Sequence, residues 1–225
     1  MNRQKTVVLL IGSPRGRKST SFSLGNYLCQ KLEEEWTVKY GYIQQLVMRE
    51  EKHLELITLM NTADIIIFSF PLYVDQLPST AIRAFEVLYK NRTEISNRKQ
   101  KIFLPIGNCG FPEASQIDLA LEICHNFANA MNFQWRGGIK LGGGEAIHGI
   151  CLEERGGMVR NQIKGLDGAA EALLRDDAIP QEVIDLIARE IIPKGLYKGM
   201  GNMGWRIRAL KHWNMFNLKK KPYKK

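Results

Sequence analysis

The sequence predicts an α/β fold in which a doubly wound parallel sheet carries helices on both faces. Apolar segments of strand length alternate strictly with amphipathic segments of helix length, an order that builds a parallel sheet through crossover connections. The strand candidates are continuous apolar runs, as expected of strands covered on both sides. Three of them end in loops of glycine, proline, hydroxyl and amide residues, at the sheet edge where such folds take ligands.

The first strand spans residues 7–11, VVLLI, a short β-branched run that Gly12 ends. Ser19, Thr20 and Ser21 are all N-cap types, and a helix over 21–35 follows with Phe22, Leu24, Tyr27, Leu28 and Leu32 on one stripe. Residues 37–43 read as the second strand and 50–60 as a helix with Leu54 and Ile57 inward and Leu56 and Met60 as further inward candidates. Asp64 introduces a third strand over 65–70; 71–76 is its C-terminal loop, and Pro78 opens a helix to about Lys90. The fourth strand is 101–106. A loop over 107–112 follows it, then a helix over 113–131 with Leu119, Leu121, Ile123, Phe127 and Ala130 among its apolar positions. A fifth strand over 133–141 is weakened by Gly137 and Gly138. Residues 162–174 and 181–192 read as helices, the second opened by Pro180 and stopped by Pro193. A domain over 1–193 is thus expected to carry a helical extension, a basic aromatic tail over 194–225. In the tail Trp205, Ala209, Trp213 and Phe216 fall on one helical stripe among Arg206, Arg208 and Lys211.

The 225 residues, 44% of them hydrophobic, suffice for one such domain and its extension. The longest apolar runs fall short of a membrane span, and the first strand begins too early to leave room for a secretory signal; a cytoplasmic protein is expected. Cys29, Cys109, Cys124 and Cys151 stand 80, 15 and 27 residues apart, and His53, His125, His148 and His212 form no paired spacing. Neither a structural zinc nor an iron–sulfur cluster is expected. The net charge of +9 resembles a nucleic-acid signature. Nine of the 32 Lys and Arg, however, lie in 195–225, which holds no Asp or Glu, and the remaining 23 face 23 acidic residues. The core is neutral, and no nucleic-acid partner is expected of it.

The loop SPRGRKSTS sets hydroxyls, Arg15, Arg17 and Lys18 at the positive end of a helix dipole, an arrangement for an anion. Walker A is excluded, because only three residues separate Gly12 from Gly16 and Arg17 precedes Lys18; the GxGxxG spacing is absent too. A terminal phosphate held by hydroxyls and backbone N–H groups fits the loop, with an ordinary strand-to-helix turn as the alternative. PLYVDQLP, after the third strand, offers Tyr73 to lie against a planar ring. GNCGFPEA, after the fourth, sets Gly107 and Gly110 around an amide and a thiol, so that backbone N–H groups can approach a ligand edge. Turn punctuation accounts for each loop singly; three at successive strand ends point to one shared ligand.

Taken in order, GSPRGRKSTS, FPLYVDQLPSTAIRAFE and GNCGFPEASQ resemble the three flavin-binding loops of the flavodoxin-like NAD(P)H-dependent FMN reductase family, over roughly residues 5–141. The resemblance implies a flavodoxin-like five-stranded sheet of order 2-1-3-4-5 with FMN at its edge. It implies that Ser13, Arg15, Ser19, Thr20 and Ser21 hold the FMN phosphate. Pro71, Leu72, Tyr73 and Val74 would border the isoalloxazine, and Asn108, Cys109, Gly110 and Phe111 would line its pyrimidine side. The first loop departs from the hydroxyl-rich TxTGxT of electron-carrier flavodoxins, and the segment beyond Leu141 has no counterpart. The implied activity is hydride transfer from NADPH or NADH to the flavin, then electron transfer to free flavin, a quinone or another small acceptor. The cofactor carries that chemistry and no catalytic side chain is required. Cys109 is expected as a ring contact, since no positive neighbour marks it as a nucleophile. A homodimer or homotetramer is implied by the resemblance alone.

Two other functions remain open: a single-electron carrier of the same fold, and a binding protein whose basic tail engages a membrane surface or nucleic acid. The tail either lies on an anionic membrane or packs its aromatics against the domain or a partner subunit, and packing is the expectation. The segment 142–148, with Glu145 and His148, either gates the nicotinamide or acceptor pocket or serves as a connection.

Overall fold

The computed structural model describes residues 4–95, 100–218 and 220 and sets β1 (Thr6–Ile11) inside a parallel sheet, every one of its residues buried. β2 (Thr37–Tyr42) flanks it on one side and β3 (Ile65–Pro71) on the other. β4 (Ile102–Asn108) follows β3, and the edge is formed by β5 (Gln134–Trp135) and β6 (Ile139–Leu141), both paired to β4. The order is β2-β1-β3-β4-β5, as expected. The fifth strand differs in being split. Gly137 adopts φ +122°, in the region open mainly to glycine, so the chain leaves the ladder after Trp135 and rejoins it at Ile139.

Alternation along the strands divides the core in two. Val7, Leu9 and Ile11 face α1 (Thr20–Gln30), α6 (Arg160–Leu174) and α7 (Gln181–Ile187). Val8, Leu10, Phe68 and Phe103 face α2 (Ile43–Val47), α3 (His53–Thr62), α4 (Ser79–Lys90) and α5 (Asp118–Ala130). On that second face the rings of Phe85 and Phe127 stack at 3.8 Å between centroids. Burying each such phenyl contributes about 2–3 kcal/mol, so the aromatic layer between α4 and α5 is a main reason the sheet stays flanked there.

Several helices are shorter than their apolar patterns suggest. α1 ends at Gln30 and 31–35 are turns, whereas 43–47 form an additional short helix and 50–52 a 3-10 turn ahead of α3. Leu54, expected inward, is 67% exposed, and of the apolar positions of the fifth helix Leu119 is 55% exposed and Ala130 is exposed too. α3 turns in Ile57, as expected, together with Leu56 and Met60, and α5 turns in Phe127 together with Ala120 and Cys124; a helix buries only one stripe. α7 stops at Ile187. Pro193 therefore does not end that helix but caps the N-terminus of the next, α8 (Lys194–Lys211).

The chain divides into two compact units, Met1–Ile191 and Ile192–Lys225. The second holds α8 and a 3-10 turn at Met215–Asn217. Because α8 ends at Lys211 and Trp213 has φ +51°, Trp213 and Phe216 do not continue the stripe of Trp205 and Ala209. Lys219, Lys221, Lys224 and Lys225, counted in the basic tail, lie outside the described residues. Among the described residues no helix is long and apolar enough to cross a membrane.

Candidate functional site

The carboxyl ends of β1, β3 and β4 are tied into one body by a few polar contacts. Gly12 N donates to Ser69 O at 2.7 Å, and Ser69 Oγ donates to Ser21 O at 2.7 Å. Leu72 N donates to Asn108 O at 2.7 Å. The Asn108 side chain, 6% exposed, gives its Nδ2 protons to Ser21 Oγ at 2.8 Å and Phe70 O at 2.9 Å. One amide on β4 thus ties β3 to the first turn of α1, a role set by its two donors on a single nitrogen.

The first loop closes through Gly16 N to Ser13 O and Lys18 N to Arg15 O, with Gly16 at φ +54°. Ser19 caps α1: its Oγ accepts from Phe22 N at 3.1 Å and donates to Gly16 O at 2.6 Å. Thr20 Oγ1 donates to Gly144 O at 2.8 Å. The Ser19 and Thr20 hydroxyl protons are therefore both engaged within the protein. What these residues and their neighbours leave open is backbone. Among the described residues none accepts from the N–H groups of Ser13, Thr20 or Ser21, although all three residues are at most 4% exposed. Buried N–H groups without acceptors are rare, and here they sit at the positive end of an eleven-residue helix. Ser21 Oγ, which accepts from Asn108, keeps its own proton to donate. This set of donors suits a multiply charged oxyanion. Arg15, about half exposed, stands beside it with its guanidinium 3.9 Å from Glu145, whereas Arg17 Nε is held by Tyr42 Oη at 2.8 Å.

The second loop is a tight turn in which Tyr73 and Gln76 exchange both backbone hydrogen bonds, with Val74 at φ +50° and Asp75 at φ +57°. Leu72 is buried against the core, Tyr73 is 42% exposed, and Val74 projects from the tip at 96% exposed. In the third loop Phe111 is 53% exposed. Cys109 is buried and turns its Sγ back to the carbonyls of Phe111 and Glu113, at 3.4 and 3.7 Å. Burial pushes its thiol up from the ordinary range, away from a nucleophile. Cys29 and Cys124 are shifted the same way and for the same reason, and Cys151 is exposed. At mildly alkaline pH a disulfide reagent is expected to modify one thiol, Cys151, rapidly in the native chain and all four after unfolding; a second fast thiol would contradict this burial.

A fourth element completes the site. β6 runs into 142–149, which lies across both the first and third loops. Gly143 N donates to Phe111 O at 2.6 Å and Gly144 N to Cys109 O at 2.8 Å. A Cβ on Gly149 would stand 2.5 Å from Lys18 O, so the segment touches the anion loop backbone to backbone. Arg155 fixes its far end with two donations to Ile147 O, at 3.0 and 2.7 Å. His148 Nδ1 lies 3.6 Å from Glu145, which also faces Arg15. The sequence singled out 142–148 but missed Gly149 and Arg155. The glycine run was the available signal, since close backbone approach excludes a side chain.

Of the residues predicted from the loops, Ser13, Ser19, Thr20 and Ser21 are brought together and buried, and Asn108 and Leu72 join them through the contacts above. Pro71 closes β3 opposite Asn108. Arg15, Tyr73, Val74, Gly110 and Phe111 are on the exposed side of the loops.

No family model and no curated protein sequence matches the chain. Solved structures do resemble it. An NADH:FMN oxidoreductase in its apo form superposes with a TM-score of 0.58 at 14% identity, over 84% of this chain and 97% of that one. An NAD(P)H:quinone oxidoreductase from Methanothermobacter marburgensis gives 0.56 at 16% identity, over 76% and 96%. A flavodoxin from Streptococcus pneumonia TIGR4 gives 0.50 at 16%, over 76% and 99%. At such identities the likeness is one of fold, and the fold is flavodoxin-like.

Proposed function

We propose that the chain is an FMN-dependent oxidoreductase that draws electrons from NADPH or NADH and delivers them to a small acceptor, of which free flavin and quinones are the leading classes. The observation that carries this reading is the buried cluster of unpaired N–H groups of Ser13, Thr20 and Ser21 where three strand ends meet. Such a cluster fits the phosphate of a mononucleotide, and Tyr73 and Phe111, exposed on the adjoining loops, fit a planar ring. The fold neighbours, two of them named as flavin or quinone oxidoreductases, agree with it.

In this reading bound FMN supplies the redox chemistry, taking hydride from the nicotinamide and releasing electrons to the acceptor. The protein binds and orients. Ser13, Thr20 and Ser21 offer backbone donors and the Ser21 hydroxyl to the phosphate, and Arg15 adds charge from the rim. Gly142, Gly143 and Gly144 hold the third loop against the sheet, so that the backbone of Asn108, Cys109 and Gly110 keeps a fixed edge for the ring. The segment 142–149 walls the phosphate side through Thr20 and Lys18.

The purified protein is expected to be yellow and to bleach within seconds when NADPH or NADH is added without oxygen. A yellow protein inert to both would be an electron carrier, and one that takes no FMN would refute the reading. Arg15→Ala is expected to weaken FMN by about 1.5 kcal/mol, the lower end for a charge-assisted hydrogen bond, because the guanidinium is half solvated and shared with Glu145. Flavin fluorescence titration measures it, and unchanged affinity would place the phosphate elsewhere.

A further inference from the structure

The C-terminal unit carries a feature that the flavin site does not use. Along α8, Leu196, Met200, Met203, Ile207 and Leu210 recur at intervals of four and three residues, which places all five on one narrow face of a helix. Each is between 49% and 60% exposed. The expected aromatic stripe is thus replaced by an aliphatic one. Arg206, Arg208 and Lys211 flank it, Lys198 stands on the opposite face, and nine Lys and Arg with no acidic residue fall in 195–225. Trp213 and Phe216, past the helix end, are 95% and 98% exposed.

We propose that this unit is a docking surface for an anionic phospholipid bilayer, with the aliphatic stripe entering the headgroup–acyl boundary and the cations facing lipid phosphates. Charge decides among the occupants. A second copy of the same helix would bring Arg206, Arg208 and Lys211 to the seam with no acidic residue in 195–225 to pair them, which disfavours pairing. A nucleic acid would satisfy the cations but leave five adjacent aliphatic side chains against a charged backbone. A bilayer surface with anionic lipid takes both faces at once. The helix composition agrees. Gly195, Gly199, Gly201 and Gly204 give α8 low intrinsic helicity, as in segments that gain their helix from the surface they bind. The inference is independent of the flavin reading.

Flotation of the full chain with vesicles tests it, comparing phosphatidylcholine alone with a mixture that is about one-third phosphatidylglycerol. At least about tenfold more protein is expected on the anionic vesicles, with the excess lost on adding salt. The double variant Met203→Glu, Ile207→Glu is expected to reduce anionic binding about tenfold while the melting temperature of the chain stays the same. Arg206→Glu with Arg208→Glu is expected to remove the lipid preference. Equal flotation on both vesicles, no flotation on either, or an unchanged double variant would overturn the proposal. So would capture of single-stranded RNA in place of vesicles, or a doubled mass in solution that the double variant abolishes.

Discussion

Ser21→Asp is expected to abolish FMN retention while leaving the fold intact. The side chain lies in the first turn of α1, 1% exposed, and accepts from Asn108 Nδ2. A carboxylate there accepts the same hydrogen bond and interacts favourably with the helix dipole, a gain of about 0.3–1 kcal/mol to the unliganded chain. Toward a phosphate it is a like charge. At about 4 Å and an effective dielectric of about 20 the repulsion is about 4 kcal/mol per unit charge, roughly a thousandfold in Kd. Ser21→Asn, similar in size and uncharged, separates charge from bulk. Isothermal titration with FMN, beside thermal melts without it, gives both readings; an aspartate variant that binds FMN as the parent does would remove the anion from this helix.

Gly142→Ala is expected to have the largest effect on stability of any single methyl group at the site. Its added Cβ would stand 2.2 Å from Pro112 O, 2.7 Å from Pro112 C and 2.9 Å from Ala114 N. All three are backbone atoms that no rotamer change can move. Overpacking against side chains costs about 1–3 kcal/mol, and a backbone obstacle places this change at about 3 kcal/mol or above. The loop after β4 must separate from 142–144, which breaks the Gly143–Phe111 and Gly144–Cys109 hydrogen bonds. Chemical denaturation is expected to show the loss, with FMN affinity falling in parallel. By contrast, a Cβ on Gly157 meets nothing within 4 Å, so Gly157→Ala serves as the neutral control.

Much of the fold could be read from the chain because its signals are local. The continuous apolar run IIIF at 65–68, short and β-branched, reads as a buried parallel strand and is one, and Ser19 announces the start of α1 with the side chain that caps it. Helix ends were less legible. α1 and α7 close at Gln30 and Ile187 with no proline or glycine directly after them, although Leu32, past the first end, is still buried in the core. Leu54 and Leu119 look inward by composition but point away from the sheet, a matter of helix rotation that a short sequence window does not encode. At the site, residue identity and residue task diverged. Ser19 and Thr20 were marked for their hydroxyls, yet those hydroxyls hold Gly16 and Gly144, and the open donors are main-chain groups. Main-chain donors carry no letter in the sequence. The contact of Gly149 with Lys18 was invisible for the same reason, being backbone against backbone.

Thr20 and Gly144 are 124 positions apart, yet one hydrogen bond joins them. A nascent chain emerging as far as residue 132 already possesses all three loops that follow the inner strands, but not the wall that leans on the first of them. The donors of the first loop therefore wait on a long-range closure before the segment that leans on them is in place. On the proposed reading a fragment that stops at residue 132 has the donors but not the wall, and it is expected to retain no flavin.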